Sequence, residues 1–355
     1  MSTAGTSASG LRASNGLLLD NVDALLLDLD GTVYTGPRAL PGVDAVLAAV
    51  RRAGVGIVFA TNNASRTPQV VAAGLREMGI AAEAREVLTS AQAAAAVAAD
   101  ELEPGAAVLV VGGDGAREAV AAVGLTPVAD DRAGPVAVLQ GWGPDLGWPL
   151  LAEGAYALAR GVPWYVTNTD TTLPTERGTA PGNGSFVALL TTVTGRQPTV
   201  VVGKPHAVLL DRARAVAGGR AALAVGDRLN TDIEGAVAAG LPSLLVLSGV
   251  SRVSDVLAAP PHRRPTFLAA SLAGLLEEHP AARSQADGTH CRGWRAWVQA
   301  DGSLRLDGDG DPQDALRACC GASWAALDAD RHVDLGAGLP QVLRVLDPVR
   351  PGSAG

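Results

Sequence analysis

Short apolar runs alternate along this chain with stretches whose apolar residues recur three and four positions apart. From 24 to about 90 the order is an apolar run at 24–28, a helical stretch at 43–53, the run "VGIVFA" at 55–60 and a helix at 68–78. The alternation resumes after 198 with "TVVVG", a helix over 206–217, "AALAVGD" at 221–227, a helix from about 232, "PSLLVL" at 242–247 and "PTFLA" at 265–269. Continuous apolar runs of this length read as strands buried on both faces. Their alternation with helices predicts a doubly wound, parallel-sheet α/β core of the Rossmann type.

The segment between the two halves is too long to be a loop inside a compact domain, and it carries an alternation of its own. Strands are expected at 106–112, 136–141 and 163–168, helices at 115–123, 149–160 and 184–194, and a polar loop at 169–183. The reading is therefore a core made of 21–90 and 199–280 with a second α/β domain, 91–198, inserted into it. After about 281 the texture changes: "GWRAWVQADGSLRLDGDGD" offers two short strands around an Asp-Gly turn, and 312–327 offers a helix. A small C-terminal α+β domain over 285–350 follows, of unknown role. The Ser-, Ala- and Gly-rich residues 1–20 read as a disordered tail, without the basic start and apolar block of a signal peptide.

A net charge of −8 argues against sequence-independent nucleic-acid binding, and no apolar stretch reaches the length of a membrane span. Three cysteines, Cys291, Cys319 and Cys320, are too few for a disulfide framework and favour a reducing cytoplasm. The cations are more informative: of the 28 Lys and Arg residues every one is arginine except Lys204, in "VVVGKPHAVLLDRA". Lysine is a compact point charge, so a site fitting one ammonium between anions resists the exchange for a wide guanidinium.

In open α/β sheets, ligands bind beyond the carboxyl ends of the strands. Four polar clusters follow apolar runs directly: Asp28-Leu29-Asp30-Gly31-Thr32, Thr61-Asn62-Asn63, Gly203-Lys204-Pro205, and Gly226-Asp227 with Asp232. Side chains two apart on an extended segment point the same way, so Asp28 and Asp30 are expected to address one ligand. If that ligand is a phosphate ester, a carboxylate nucleophile must approach an anion, and two like charges about 4 Å apart repel by roughly 4 kcal/mol at an effective dielectric of 20. Mg²⁺ removes that obstacle. Asp28, Asp227 and the main chain of Asp30 are its expected ligands, with Asp232 behind them or acting through water. Lys204 and Thr61, with nearby backbone N–H groups, are expected to hold the phosphoryl oxygens, and Gly31 to let the backbone approach them.

"DLDGT", Thr61 in "ATNN", the lysine of "GKP" and "GDRLNTDIEGA" resemble, in order, the four motifs of the haloacid dehalogenase (HAD) superfamily of phosphatases. The resemblance implies Asp28 as nucleophile, Asp30 as general acid and base, and Thr61 and Lys204 at the phosphate, where the strand-end positions of Gly31, Asn62 and Asn63 make them further candidates. It also implies Mg²⁺ at Asp28, Asp30 and Asp227. The insert is similar to the C2-type cap of the NagD-like, class IIA branch, and "LPTERG…PGNGS" with a C-terminal extension resembles bacterial glycerol-3-phosphate phosphatases. Leu173, Glu176 and Arg177 are then the cap residues expected to select substrate. The implied function is Mg²⁺-dependent hydrolysis of a small phosphorylated metabolite, glycerol 3-phosphate first, with 2-phosphoglycolate, pyridoxal phosphate and 4-nitrophenyl phosphate as alternatives. An alternative of another class is a non-catalytic phosphometabolite sensor with a C-terminal interaction module. Neither nucleic acid nor membrane is expected as a partner, and a homodimer would form through the cap or the C-terminal domain.

Overall fold

The computed structural model describes residues 10–175 and 177–336. The chain divides into two compact units, residues 1–57 with 217–355, and residues 58–216.

In the first unit four parallel strands lie in the order Phe267–Ala269, Ser243–Val246, Ala222–Gly226, Ala24–Leu27. Each is buried along its whole length, as their unbroken apolar spelling requires. The helix Val43–Arg52 buries Val43, Val46, Leu47 and Val50, the three-and-four spacing of one helix face. After Ala222–Gly226 the chain does not enter an ordinary helix at once. A π turn, Leu229–Ile233, precedes the short helix Glu234–Ala238.

One expectation is corrected in this unit. Residues 10–20 are not a free tail: Leu11, Leu18 and Leu19 are buried, and Arg12 N–H, Ser14 N–H and Leu18 N–H donate to the carbonyls of Thr266, His279 and Glu277. Leucines at these positions supply apolar area that the Ser, Ala and Gly around them conceal in a compositional reading. The C-terminal segment packs on the α/β part of this unit. Its antiparallel sheet, Arg283–Gln285, Gly288–Cys291, Trp294–Val298 and Leu304–Gly308, is covered by the helix Pro312–Asp328. That helix joins one apolar core with Leu229, Ile233, Leu245, Val256, Leu257 and Leu268 of the α/β part. Trp324 Nε1 and Ser323 Oγ donate to the carbonyls of Val256 and Leu257, satisfying the end of the helix Val253–Leu257. Arg317 and Asp314, both buried, pair at 2.7 Å. Arg317 also donates to Leu268 O (3.0 Å) and to His279 Nδ1 (3.3 Å), while the other ring nitrogen of His279 lies 2.8 Å from Gly274 O. A neutral His279 carrying its proton on Nε2 satisfies all of these bonds.

The second unit begins inside the strand Gly56–Thr61, which pairs in parallel with Val87–Thr89. It contains a five-stranded parallel sheet in the order Val200–Val201, Trp164–Val166, Ala137–Gln140, Ala107–Val111, Thr126–Val128. Helices Asp114–Ala122, Trp148–Ala159 and Asn183–Thr194 accompany it, near the expected places. The boundary expected at residue 90 falls inside this unit, because the helix Ser90–Glu101 packs on Asp114–Ala122 and on the strand Trp164–Val166. Its small buried residues, Ala91, Ala94, Ala95 and Ala98, allow that close approach, and Tyr165 Oη donates to Glu101 at 2.6 Å. The Thr89–Gln92 capping box fixes where the helix starts. The stretch 169–183, expected as a polar loop, is largely an antiparallel hairpin, Thr172–Thr175 with Gly178–Pro181.

Candidate active site

Asp28 follows the last residue of the strand Ala24–Leu27, and its N–H still bonds to Val225 O on the neighbouring strand (2.8 Å). The chain then folds back sharply, with Leu29 O accepting from the N–H groups of Thr32, Val33 and Tyr34 and Gly31 N–H donating to Tyr34 O. Asp227 follows the strand Ala222–Gly226, and Asp232 returns towards that strand end from the π turn. Asp28, Asp227 and Asp232 each bring a carboxylate oxygen within 4.8 Å of the others. Asp227 and Asp232 are buried, and Asp28 is half-buried.

The backbone around these acids is shaped to admit them. A Cβ at Gly31, where φ is +83°, would lie 2.4 Å from Asp227 Oδ2, and one at Gly249 would lie 2.0 Å from it. A Cβ on Gly226 would collide with Asp232 at 2.3 Å. Val250 N–H donates to Asp227 Oδ2 (2.6 Å) and Arg228 N–H to Asp232 Oδ2 (3.0 Å), while Ser248 Oγ binds Gly31 O (2.8 Å). Three carboxylates this close repel by about 3–4 kcal/mol per pair at an effective dielectric of 20. An all-oxygen donor set holding a half-buried acid beside two buried ones fits a hard divalent cation, and Mg²⁺ in particular.

The expected roles shift accordingly. Asp232, expected behind the ligands or acting through water, brings its carboxylate into the cluster itself. Asp30 is exposed, with its carboxylate 3.5 Å from Tyr34 Oη. Gly31, expected to approach a phosphate, spends its N–H on Tyr34 O and makes room for Asp227. The segment "LSGVS" after the strand Ser243–Val246 was missed. It is a further polar strand end, and that position was its signal.

In the second unit Thr61 closes its strand, and its hydroxyl accepts from Asn63 N–H (3.1 Å). Lys204 is buried, and its Nζ donates to Ala60 O at 3.1 Å. Asn62 was expected at the phosphate, but its amide is engaged otherwise. Oδ1 accepts from Lys204 N–H (2.8 Å), while Nδ2 donates to Lys204 O (2.9 Å) and Asp170 Oδ2 (3.1 Å). Asn63 is exposed and turns its Oδ1 to Ser65 and Arg66. Leu173 and Arg177 lie on the hairpin, half-buried and exposed respectively, and Glu176 lies outside the described residues.

The three cysteines are buried free thiols. Burial pushes Cys291 and Cys319 up to about 12, which makes neither a nucleophile at neutral pH.

Comparison with known proteins places the chain in a family. Residues 25–126 match the haloacid dehalogenase-like hydrolase family, 201–275 a HAD-hydrolase-like family and 291–348 a GCN5-related N-acetyltransferase-like domain. A D-glycerol 3-phosphate phosphatase of Mycobacterium tuberculosis is 46% identical over 321 residues, covering 87% of this chain and 88% of the relative. A 5'-nucleotidase of Bacillus subtilis is 37% identical over 242 residues, 67% of this chain and 93% of its own. The crystal structure of a glycerol phosphate phosphatase from Mycobacterium tuberculosis in complex with magnesium superposes with a TM-score of 0.83 at 43% identity, covering 94% of this chain and 99% of that one.

Proposed function

The chain belongs to the haloacid dehalogenase-like hydrolases, and from that membership we infer that it is a Mg²⁺-dependent phosphatase whose substrate is glycerol 3-phosphate. The observation that carries the chemistry is the meeting of Asp28, Asp227 and Asp232 at the ends of two adjacent parallel strands. What supports the substrate is the length of the likeness. The glycerol 3-phosphate phosphatase matches over 87% of this chain, whereas the 5'-nucleotidase matches over 67%.

In this reading Asp28 is the nucleophile. Its carboxylate oxygen bonds to phosphorus as the bond from phosphorus to the glycerol oxygen breaks, and Asp30 gives that departing alkoxide its proton. Asp30 then takes a proton from water as the water oxygen attacks phosphorus, releasing Asp28 and inorganic phosphate. Exposure of Asp30 suits a group that must exchange protons with solvent in each cycle. Asp28, Asp227 and Asp232, with the main chain of Asp30, would hold the magnesium, which supplies charge neutralisation for the phosphoryl oxygens. By the family resemblance, Thr61 and Lys204 are the proposed contacts to those oxygens, and Leu173, Glu176 and Arg177 the proposed determinants of substrate choice.

Among the described residues no helix is long and apolar enough to cross a membrane. We assign the enzyme to the cytoplasm, a reading supported by its three free thiols. We propose a homodimer through the cap or the C-terminal domain, the exposed Tyr156, Leu189 and Val193 supporting the cap, and a monomer mass on size exclusion with light scattering would exclude it. The test of function is phosphate release from glycerol 3-phosphate, 2-phosphoglycolate, pyridoxal phosphate and 4-nitrophenyl phosphate, with and without Mg²⁺. Preference for glycerol 3-phosphate supports the reading. Release from none of them overturns it in favour of the sensor.

A further inference from the structure

The amide of Asn62 has two N–H donors and one carbonyl acceptor. It spends the acceptor and one donor on the two backbone polar groups of a single residue, Lys204, much as a neighbouring strand would. Its second donor goes to Asp170 Oδ2. The backbone of Asn62 is held from the same direction, since Asn168 Nδ2 donates to Asn62 O at 2.8 Å. Asn168 Oδ1 in turn accepts from Asp170 N–H at 3.1 Å. Asn62, Asn168 and Asp170 thus close a hydrogen-bonded ring, and the backbone of Lys204 is clamped to one side of it. Gly203 makes the clamp geometrically possible, because a Cβ there would lie 2.7 Å from Asn62 Oδ1 and 2.5 Å from Thr167 O.

The other side of the ring is the stem of the hairpin. Asp170 O accepts from Gly184 N–H (2.8 Å) and Thr171 O from Gly182 N–H (2.9 Å), so the chain entering the hairpin is bonded to the chain leaving it at Asp170. Asn183 Nδ2 adds a bond to Asn168 O (2.7 Å). Glycines at 182 and 184 are needed here as well, since Cβ atoms would sit 2.3 Å from Asp170 O and 2.2 Å from Thr169 O. A shift of the stem must therefore move the carboxylate of Asp170, and with it the amide that grips Lys204.

We propose that Asn62 and Asp170 are positioning residues for Lys204, and that they make the placement of this lysine depend on the seating of the hairpin Thr172–Pro181. The proposal rests on the reading of Lys204 as a phosphate contact. It assigns Asp170 a part in turnover rather than in substrate choice, although it stands at the root of the hairpin that carries Leu173 and Arg177.

The test is kcat and KM of the full chain with Mg²⁺ for Asn62→Ala, Asp170→Ala, Asp170→Asn, the double alanine variant and Lys204→Ala. Glycerol 3-phosphate and 4-nitrophenyl phosphate serve as substrates, inorganic phosphate as product inhibitor, and thermal melting as the check of folding. Asp170→Ala should lower kcat by about 10- to 100-fold, the scale of a misplaced reacting group, by the same factor for both substrates and with little change in KM. Asp170→Asn keeps an oxygen for Asn62 to donate to and should restore most of the rate. In the Asn62→Ala background the Asp170→Ala change should add nothing. An effect confined to KM or to one substrate, or full additivity in the double variant, overturns the proposal. If the alanine variant fails to fold, Asp170→Asn decides: near-normal kcat supports the relay, and a loss as large as that of Lys204→Ala overturns it. Lys204→Ala separates the two readings. Unchanged rate and phosphate inhibition would remove the lysine assignment itself, whereas a crippled Lys204→Ala beside normal Asn62→Ala and Asp170→Ala variants would defeat the relay alone.

Discussion

Among its described residues the first unit buries carboxylates in two places, and it treats them in opposite ways. Asp314 lies in the helix Pro312–Asp328 with the Arg317 guanidinium 2.7 Å away, and Arg317 is itself tied to Leu268 O and His279. Asp227 and Asp232 instead lie with Asp28, acid against acid, their oxygens within 4.8 Å. In one region protein charge answers protein charge. In the other the fold gathers three acids within reach of one another, the arrangement a cation-binding reaction centre needs. Burial of charge therefore does not mark function by itself; the clustering of like groups does.

Substitutions should split the two regions cleanly. The largest effect belongs to Asp28→Asn, which should lower kcat by about 10⁴-fold or more, as removal of the proposed nucleophile should, with the fold intact by thermal melting. Appreciable turnover, once deamidation and contamination are excluded, would break the comparison on the catalytic side. Asp314→Ala should do the reverse. Leaving Arg317 buried without its carboxylate costs about 3–5 kcal/mol, read by denaturant titration, while kcat per folded molecule stays the same.

His279 sharpens the structural side through pH. Burial first, and the neighbouring Arg317 after it, depress this imidazole to about 4, against the opposing pull of Gly274 O. The unfolded chain thus binds a proton at higher pH than the folded one does. Stability contributed by the neutral ring is complete above about pH 6.5 and falls as the pH drops towards 4, by up to about 3 kcal/mol. His279→Gln should flatten that part of the stability profile, and an unchanged acid limb would show that the ring is not the group responsible. On the catalytic side, Mg²⁺ at 100 times its dissociation constant should stabilise the native protein by about 2.7 kcal/mol, and chelation should abolish turnover. Asp227→Asn should lose that Mg²⁺-dependent rise in melting temperature. The smallest effect is expected from a charge in neither region: Arg177→Ala, on the exposed hairpin, should raise KM for glycerol 3-phosphate less than tenfold and leave the melting temperature alone.

The sequence made the strand-end acids legible because unbroken apolar runs such as "ALLL" and "ALAVG" stop abruptly at charge. Segments without that contrast were harder to read. The helix Ser90–Glu101 is dominated by alanine, so no strong polar face announces its period, and the expected domain boundary falls at its start. The strand Arg283–Gln285 is exposed at every residue and carries no apolar signal. Leu11, Leu18 and Leu19 were lost among small residues, although each is buried. At the site, its place beside Thr61 at a strand end suggested the phosphate for Asn62. Only the fold reveals that its amide is committed to Lys204 and Asp170.

The shared core of the C-terminal helix and the α/β part makes the two interdependent. Because Val256, Leu257 and Leu268 lie in one apolar cluster with Trp324, Cys319 and Cys320, cutting the extension away would lay that face bare to water, a contiguous apolar patch of the kind that drives association. The extension thus serves as a wall of the enzyme's own interior, whether or not it performs chemistry of its own.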